Sequence, residues 1–119
     1  MRMIYCWRCG LDVAMLNEEE FTVIEGLYSK AVRAIKAYCR TRDLGMDVPT
    51  LNAQTAAFMQ EQYRPVLEEY RRITGHQHAT APEHLMHHRI SIYGPLCSHC
   101  GKPLRTPRAT YCAACGADR

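Results

Sequence analysis

Six of the seven cysteines in this 119-residue chain fall into three pairs, Cys6/Cys9, Cys97/Cys100 and Cys112/Cys115, each a C-x2-C followed at once by glycine. At that spacing the intervening residues curl back and bring two thiolates onto one metal ion. The following glycine can take the positive φ that turns backbone amides toward sulfur. Each CxxCG is therefore half of a tetrahedral site, and zinc is the expected metal. Three copies of the motif in so short a chain argue for one geometric task repeated.

The stretch LCSHCGKPLRTPRATYCAACG holds two such halves separated by eleven residues, enough for a β-hairpin strand pair between them. Cys97, Cys100, Cys112 and Cys115 are expected to fill all four positions of a structural zinc, leaving no place for a catalytic water. Metal binding should then supply much of the folding free energy of the tail. Cys97, Cys100, Gly101, Leu104, Tyr111, Cys112, Cys115 and Gly116 follow the pattern of the short bacterial zinc-ribbon family, which residues 96–117 resemble. The resemblance implies a metal-held β module and no particular activity. The whole chain also resembles an uncharacterised group of bacterial zinc-ribbon proteins.

Cys6 and Cys9 form a half-site without an adjacent partner. One reading takes two nitrogens from the histidine-rich segment 75–95: His84 and His88, spaced i and i+4, would share a helical face, with His87 as the alternative. A second pairs the knuckles of two chains around one metal, or completes a three-sulfur site with Cys39. A third leaves a bare dithiol. A thioredoxin-like role fits CWRC poorly, because apolar strand-like residues follow the motif where a helix is needed. Cys39 falls on the buried stripe of a helix and reads as a small core side chain. His99, between two ligands, should be exposed.

The elements that must position these groups follow from periodicity. Residues 1–16 read as strand, knuckle, strand. Asn17 with Glu20 three residues on forms a capping box, and Glu18–Glu20 suit the positive end of a helix dipole. Phe21, Ile24, Leu27, Tyr28, Ala31, Val32, Ile35, Tyr38 and Cys39 recur at helical spacing, predicting a helix that ends near Arg42. After a connection carrying Gly45 and Pro49, helical spacing resumes at Leu51 and stops at Gly75, with a kink or a break expected at Pro65. The two helices should pack as an antiparallel hairpin, with Tyr28, Tyr38, Tyr63 and Tyr70 as core or core-edge residues. Pro82 should open a short helical turn through His88, and Arg89–Tyr93 alternates like a strand. The expected fold is α+β, mainly α: residues 1–90 as knuckle plus helical hairpin, residues 91–119 as ribbon.

Net charge is +3, with five basic residues against Asp118 alone from Arg89 to Arg119. Lys102, Arg105 and Arg108 between the C-terminal knuckles are candidate phosphate contacts, weak and salt-dependent as a set of three. Neither an N-terminal apolar run of the signal-peptide kind nor a stretch of about 18 apolar residues occurs, so a cytoplasmic protein off the membrane is expected. There thiols stay reduced, which favours metal over disulfides. The GxGxxG, Walker, GxSxG and HExxH motifs do not occur, and the carboxylates read as solvated helix faces. A non-catalytic zinc protein is expected, acting as an interaction or adaptor module for another protein. The alternatives are a nucleic-acid-binding zinc ribbon and a small immunity or antitoxin-type neutraliser. Oligomeric state is not set by the sequence.

Overall fold

The computed structural model describes residues 2–41, 53–77 and 81–119, with main chain only at Arg2. The chain folds as α+β and mainly helical: strands β1 (Arg2–Cys6) and β2 (Leu11–Met15), helices α1 (Glu18–Thr41) and α2 (Ala53–Thr74), then short 3-10 helices at Pro82–His87 and Ile90–Ile92. Two compact units result, Met1–Phe21 together with Ala79–Arg119, and Thr22–His78. The division therefore does not fall at residue 90. The reason is local: Leu16, the residue after β2, pairs in parallel with Arg89, through Leu16 N–H to the His88 carbonyl at 2.8 Å and Ile90 N–H to the Leu16 carbonyl at 3.0 Å.

In the first unit β1 and β2 are antiparallel, with Ile4 opposite Val13, Tyr5 opposite Asp12 and Cys6 opposite Leu11. Alternation turns Ile4 and Cys6 inward, where they meet Met15 and the partly buried Cys9, Val13, Ile90 and Tyr93. The expected strand over Arg89–Tyr93 is a 3-10 turn instead, and only Arg89 makes a ladder pair. Arg89 is held there by Glu18, donating Nε–H to its carboxylate at 2.8 Å, and its guanidinium covers the Phe21 ring. This pairing, with a hydrogen bond from Ser91, draws the Glu18 carboxyl down to about 2.

The expected strand pair between the C-terminal knuckles is also replaced. Each knuckle closes on itself through a single bridge, Leu96 with Pro103 and Tyr111 with Asp118. Leu104 and Pro103 are buried beneath them, and Gly94 N–H reaches the Leu104 carbonyl at 2.8 Å. Gly94 has no room for a side chain: a Cβ would stand 2.4 Å from the Thr106 carbonyl oxygen and 2.8 Å from Leu104 Cβ. Gly94→Ala should therefore destabilise by about 2 kcal/mol. Gly26→Ala in α1, where a Cβ meets nothing within 4 Å, should be neutral or stabilising by up to about 1 kcal/mol. Thermal unfolding midpoints of the two variants check the contrast.

In the second unit α1 and α2 meet through stacked rings, Tyr28 on Tyr63 at 5.7 Å and Tyr38 on Phe58 at 4.0 Å. The falling partner number along α1 marks an antiparallel hairpin. Ile24, Ala31, Ile35 and Cys39 are buried on α1, and Thr55, Val66, Tyr70 and Thr74 on α2. The capping box forms as expected: Glu20 N–H donates to Asn17 Oδ1 at 2.8 Å and Asn17 N–H to Glu20 Oε1 at 2.9 Å. Gly75 ends α2 at φ +73°, its N–H on the Arg71 carbonyl. α2 is a single helix through Pro65, without the break the proline suggested. Pro65 and Glu61 are both exposed, so the carbonyl that loses its amide partner can turn to water. The connection carrying Gly45 and Pro49, with Arg42 and Leu51, lies outside the described residues, as does His78. No helix among the described residues is long and apolar enough to cross a membrane.

Candidate metal centres

The three CxxCG segments fold into one shape. Gly10, Gly101 and Gly116 take φ of +73°, +78° and +78°. Each donates its N–H to the carbonyl of the first cysteine of its motif, at 2.8, 2.9 and 2.8 Å. The residue before that cysteine pairs across the turn in all three: Tyr5 with Asp12, Leu96 with Pro103, Tyr111 with Asp118. The positive φ is why glycine stands there, since a Cβ would be strained. The N-terminal knuckle is thus a half-site of the same geometry as the other two.

Among the described residues two groups bring four ligand atoms within 4.8 Å of one another: Cys97, Cys100, Cys112 and Cys115, and Cys6, Cys9, His87 and His88. In the first, Cys97 Sγ lies 3.7 Å from Cys115 Sγ and Cys100 Sγ 3.5 Å from Cys112 Sγ. Tetrahedral geometry with metal–sulfur bonds of about 2.3 Å places sulfurs about 3.8 Å apart, so the set has the dimensions of a tetrathiolate site. The thiols do not share one acidity. Amide hydrogen bonds from Cys100 and His99 hold Cys97 down to about 6. At Cys115 the Ala117 amide lowers the pKa, but burial and the neighbouring thiols outweigh it and push it to about 11. Four sulfurs this close cannot all carry charge unless a cation sits among them.

In the second group Cys9 Sγ lies 3.4 Å from His87 Nε2 and 3.2 Å from His88 Nε2. Bonds of about 2.3 Å to sulfur and about 2.0 Å to nitrogen predict a separation of about 3.5 Å at the tetrahedral angle. Burial, then the hydrogen bond and charge of Cys6, push the Cys9 thiol up to about 11. The histidines reach the knuckle because Leu16, directly after β2, holds the backbone of residues 88–90 beside it.

His84 is not in this group, and His87 takes the place assigned to it. Residues i and i+4 share a face only in an α-helix, whereas Pro82–His87 is a 3-10 helix with three residues per turn. His87 therefore follows His84 around the helix, their rings 5.4 Å apart, and His88 lies beyond the last turn at φ −93°, ψ 46°. Cys39 is buried on α1 and belongs to neither group, and His99 is exposed.

Tyr93 stands behind the second group. Its O–H donates to the His87 carbonyl at 3.1 Å, and Cys6 Sγ lies 3.4 Å from the Tyr93 hydroxyl oxygen. Burial and the contact with Cys6 raise the phenol pKa well above its ordinary value, so the hydroxyl keeps its proton. The phenol has one proton: it donates to the His87 carbonyl beside a Cys6 thiol, and it can turn instead to a Cys6 thiolate, which can only accept. Tyr93→Phe should weaken metal binding at this site about 10- to 100-fold and leave the other untouched. Competition with a chromophoric chelator on each variant measures it.

Sequence reading missed the surroundings of Lys102 and Arg105. Lys102 Nζ lies 4.2 Å from the centre of the Tyr5 ring, and the Arg105 guanidinium 5.2 Å from the centre of the Trp7 ring. Trp7 Nε1–H donates to the Pro103 carbonyl at 2.8 Å, and Tyr5 and Trp7 meet edge to face. Arg108 is exposed nearby in sequence, without such a partner. No family model matches the chain, and no curated protein or solved structure matches it either.

Proposed function

We propose that this is a non-catalytic cytoplasmic protein in which two structural zinc ions, one in each four-ligand group, hold a rigid surface for a macromolecular partner. The observation carrying the reading is the repetition of one knuckle geometry three times, with two histidines closing the half-site left over. Sulfur and imidazole together suit zinc better than the hard cations, which take oxygen ligands. Four protein ligands close each shell, so each ion supports the fold and leaves no position for a reacting water.

A structural role is further supported by how little else holds the tail together: Pro103, Leu104 and Cys112 are its buried side chains. A cleft of about 280 Å³ in the same unit is lined by Ile4, Ile90, Pro95, Leu96 and Pro103, with Ser91 and Tyr93 as polar groups and no carboxylate, imidazole or thiol. That lining favours binding over catalysis. The scaffold reading first suggests a protein partner; the cations lying on Tyr5 and Trp7 favour a nucleic acid. A strong chelator tests the scaffold itself. Amide hydrogen exchange should accelerate throughout residues 96–119 and at the 6–11 turn while α1 and α2 keep their protection; unchanged exchange at both knuckle regions would overturn the reading.

A further inference from the structure

We infer that the surface formed by Tyr5, Trp7, Lys102 and Arg105 binds single-stranded nucleic acid; this rests on the metal-held scaffold, which brings β1 and the Cys97 knuckle side by side. Three observations carry it. The first is unspent charge. Arg64, Arg72 and Arg89 each face a carboxylate, Glu61, Glu69 and Glu18. Among the described residues Arg8, Lys102, Arg105 and Arg108 have no such ion pair; the same holds for Lys30, Arg33, Lys36, Arg40 and Arg71 on the helices, so what marks this surface is its local excess of charge. The two segments that build this surface, 1–16 and 96–119, carry six basic side chains against Asp12 and Asp118. A surplus of four positive charges in the sequence of these two segments fits a polyanion.

The second observation is the arrangement of rings and cations. Lys102 and Arg105 lie on the faces of Tyr5 and Trp7. A guanidinium plane resting on an indole is itself a stacking platform, and aromatic rings interleaved with cations are what single-strand binders use to hold bases and phosphates together. A carboxylate-rich peptide would need the charges but gain nothing from the rings.

The third is rigidity. The Trp7 indole is pinned by its hydrogen bond to Pro103, and Lys102 and Arg105 sit on either side of the buried Pro103–Leu104 pair. Arg108 continues the run one loop further, where Arg119 donates to the carbonyls of Pro107 and Ala109 and ties that loop down. Little side-chain and loop ordering is then left to be lost on binding.

Trp7 is the one tryptophan in the chain, so its fluorescence reports the site directly. The metal-loaded protein is titrated with an oligouridylate of about twelve nucleotides, with an abasic oligomer of the same length and with polyglutamate. Base stacking should quench Trp7 and bind the oligouridylate at least about tenfold more tightly than the abasic oligomer. Affinity should fall about twentyfold between about 50 and about 200 mM salt, as three phosphate contacts from Lys102, Arg105 and Arg108 require. Lys102→Gln/Arg105→Gln should lose at least about tenfold in affinity and about two thirds of the salt dependence. Arg108→Gln, at an exposed position, should lower the salt dependence with the tryptophan spectrum of the free protein unchanged.

Absence of quenching, or equal affinity for the abasic oligomer or polyglutamate, overturns the inference. Metal content on the same preparation separates the two failures: two ions per chain without oligonucleotide binding sinks the surface and leaves the scaffold standing.

Discussion

Cys112→Ser should strip the metal from the C-terminal group and unfold residues 96–119 while both helices stay folded. Cys112 is the fully buried member of its group; its sulfur lies 3.5 Å from that of Cys100 and its N–H bonds the Ala117 carbonyl at 2.8 Å. A serine hydroxyl stays protonated at neutral pH and offers a harder, shorter ligand than thiolate. Structural zinc sites of this kind bind with about 10–16 kcal/mol, so one ligand in four is worth about 3 kcal/mol, or at least a hundredfold in affinity. With few apolar side chains buried in the tail, that loss falls on the fold itself. Zinc per chain should drop from two to one, amide protection should vanish in the tail, and helical circular dichroism should stay near the wild-type level. Retention of both metal and protection would remove the ribbon assignment.

His88→Ala should do the equivalent at the N-terminal group. His88 is 1% exposed, and its Nε2 is 3.2 Å from Cys9 Sγ, so the substitution removes a ligand and opens a cavity at once. Zinc should again fall from two to one, here with the tail intact. The strand pairing survives in outline, because the Leu16 amide bonds the His88 carbonyl and not its ring. His84→Ala is the control, outside the ligand set, and should keep two zinc ions. A purely structural buried histidine would give the opposite pattern: destabilisation with metal content unchanged.

What the sequence made legible was mostly short-range. The tetrathiolate group reads directly from CSHC and CAAC, since each turn is local and only eleven residues separate the halves. The Asn17–Glu20 box, the buried stripe of α1 and the stop at Gly75 are likewise written within a few residues. His84 was preferred to His87 because an α-helical wheel was laid over a 3-10 segment, where His84 and His88 do not share a face; His87, the alternative, is the histidine that joins the group. The compact units do not divide at residue 90, because one parallel pairing, Leu16 with Arg89, joins parts of the chain more than seventy residues apart. Tyr5 and Trp7 gave no sign of lying against Lys102 and Arg105 for the same reason. No periodicity within either segment encodes a contact made across the whole length of the chain.

Metal content per chain, by elemental mass spectrometry on protein purified without added metal, tests the central claim most directly when run on wild type and on Cys6→Ser/Cys9→Ser. Two zinc ions in the wild type and one in the variant are predicted, the survivor belonging to Cys97, Cys100, Cys112 and Cys115. One zinc in both would contradict the account, leaving Cys6, Cys9, His87 and His88 a packed cluster of free thiols and imidazoles.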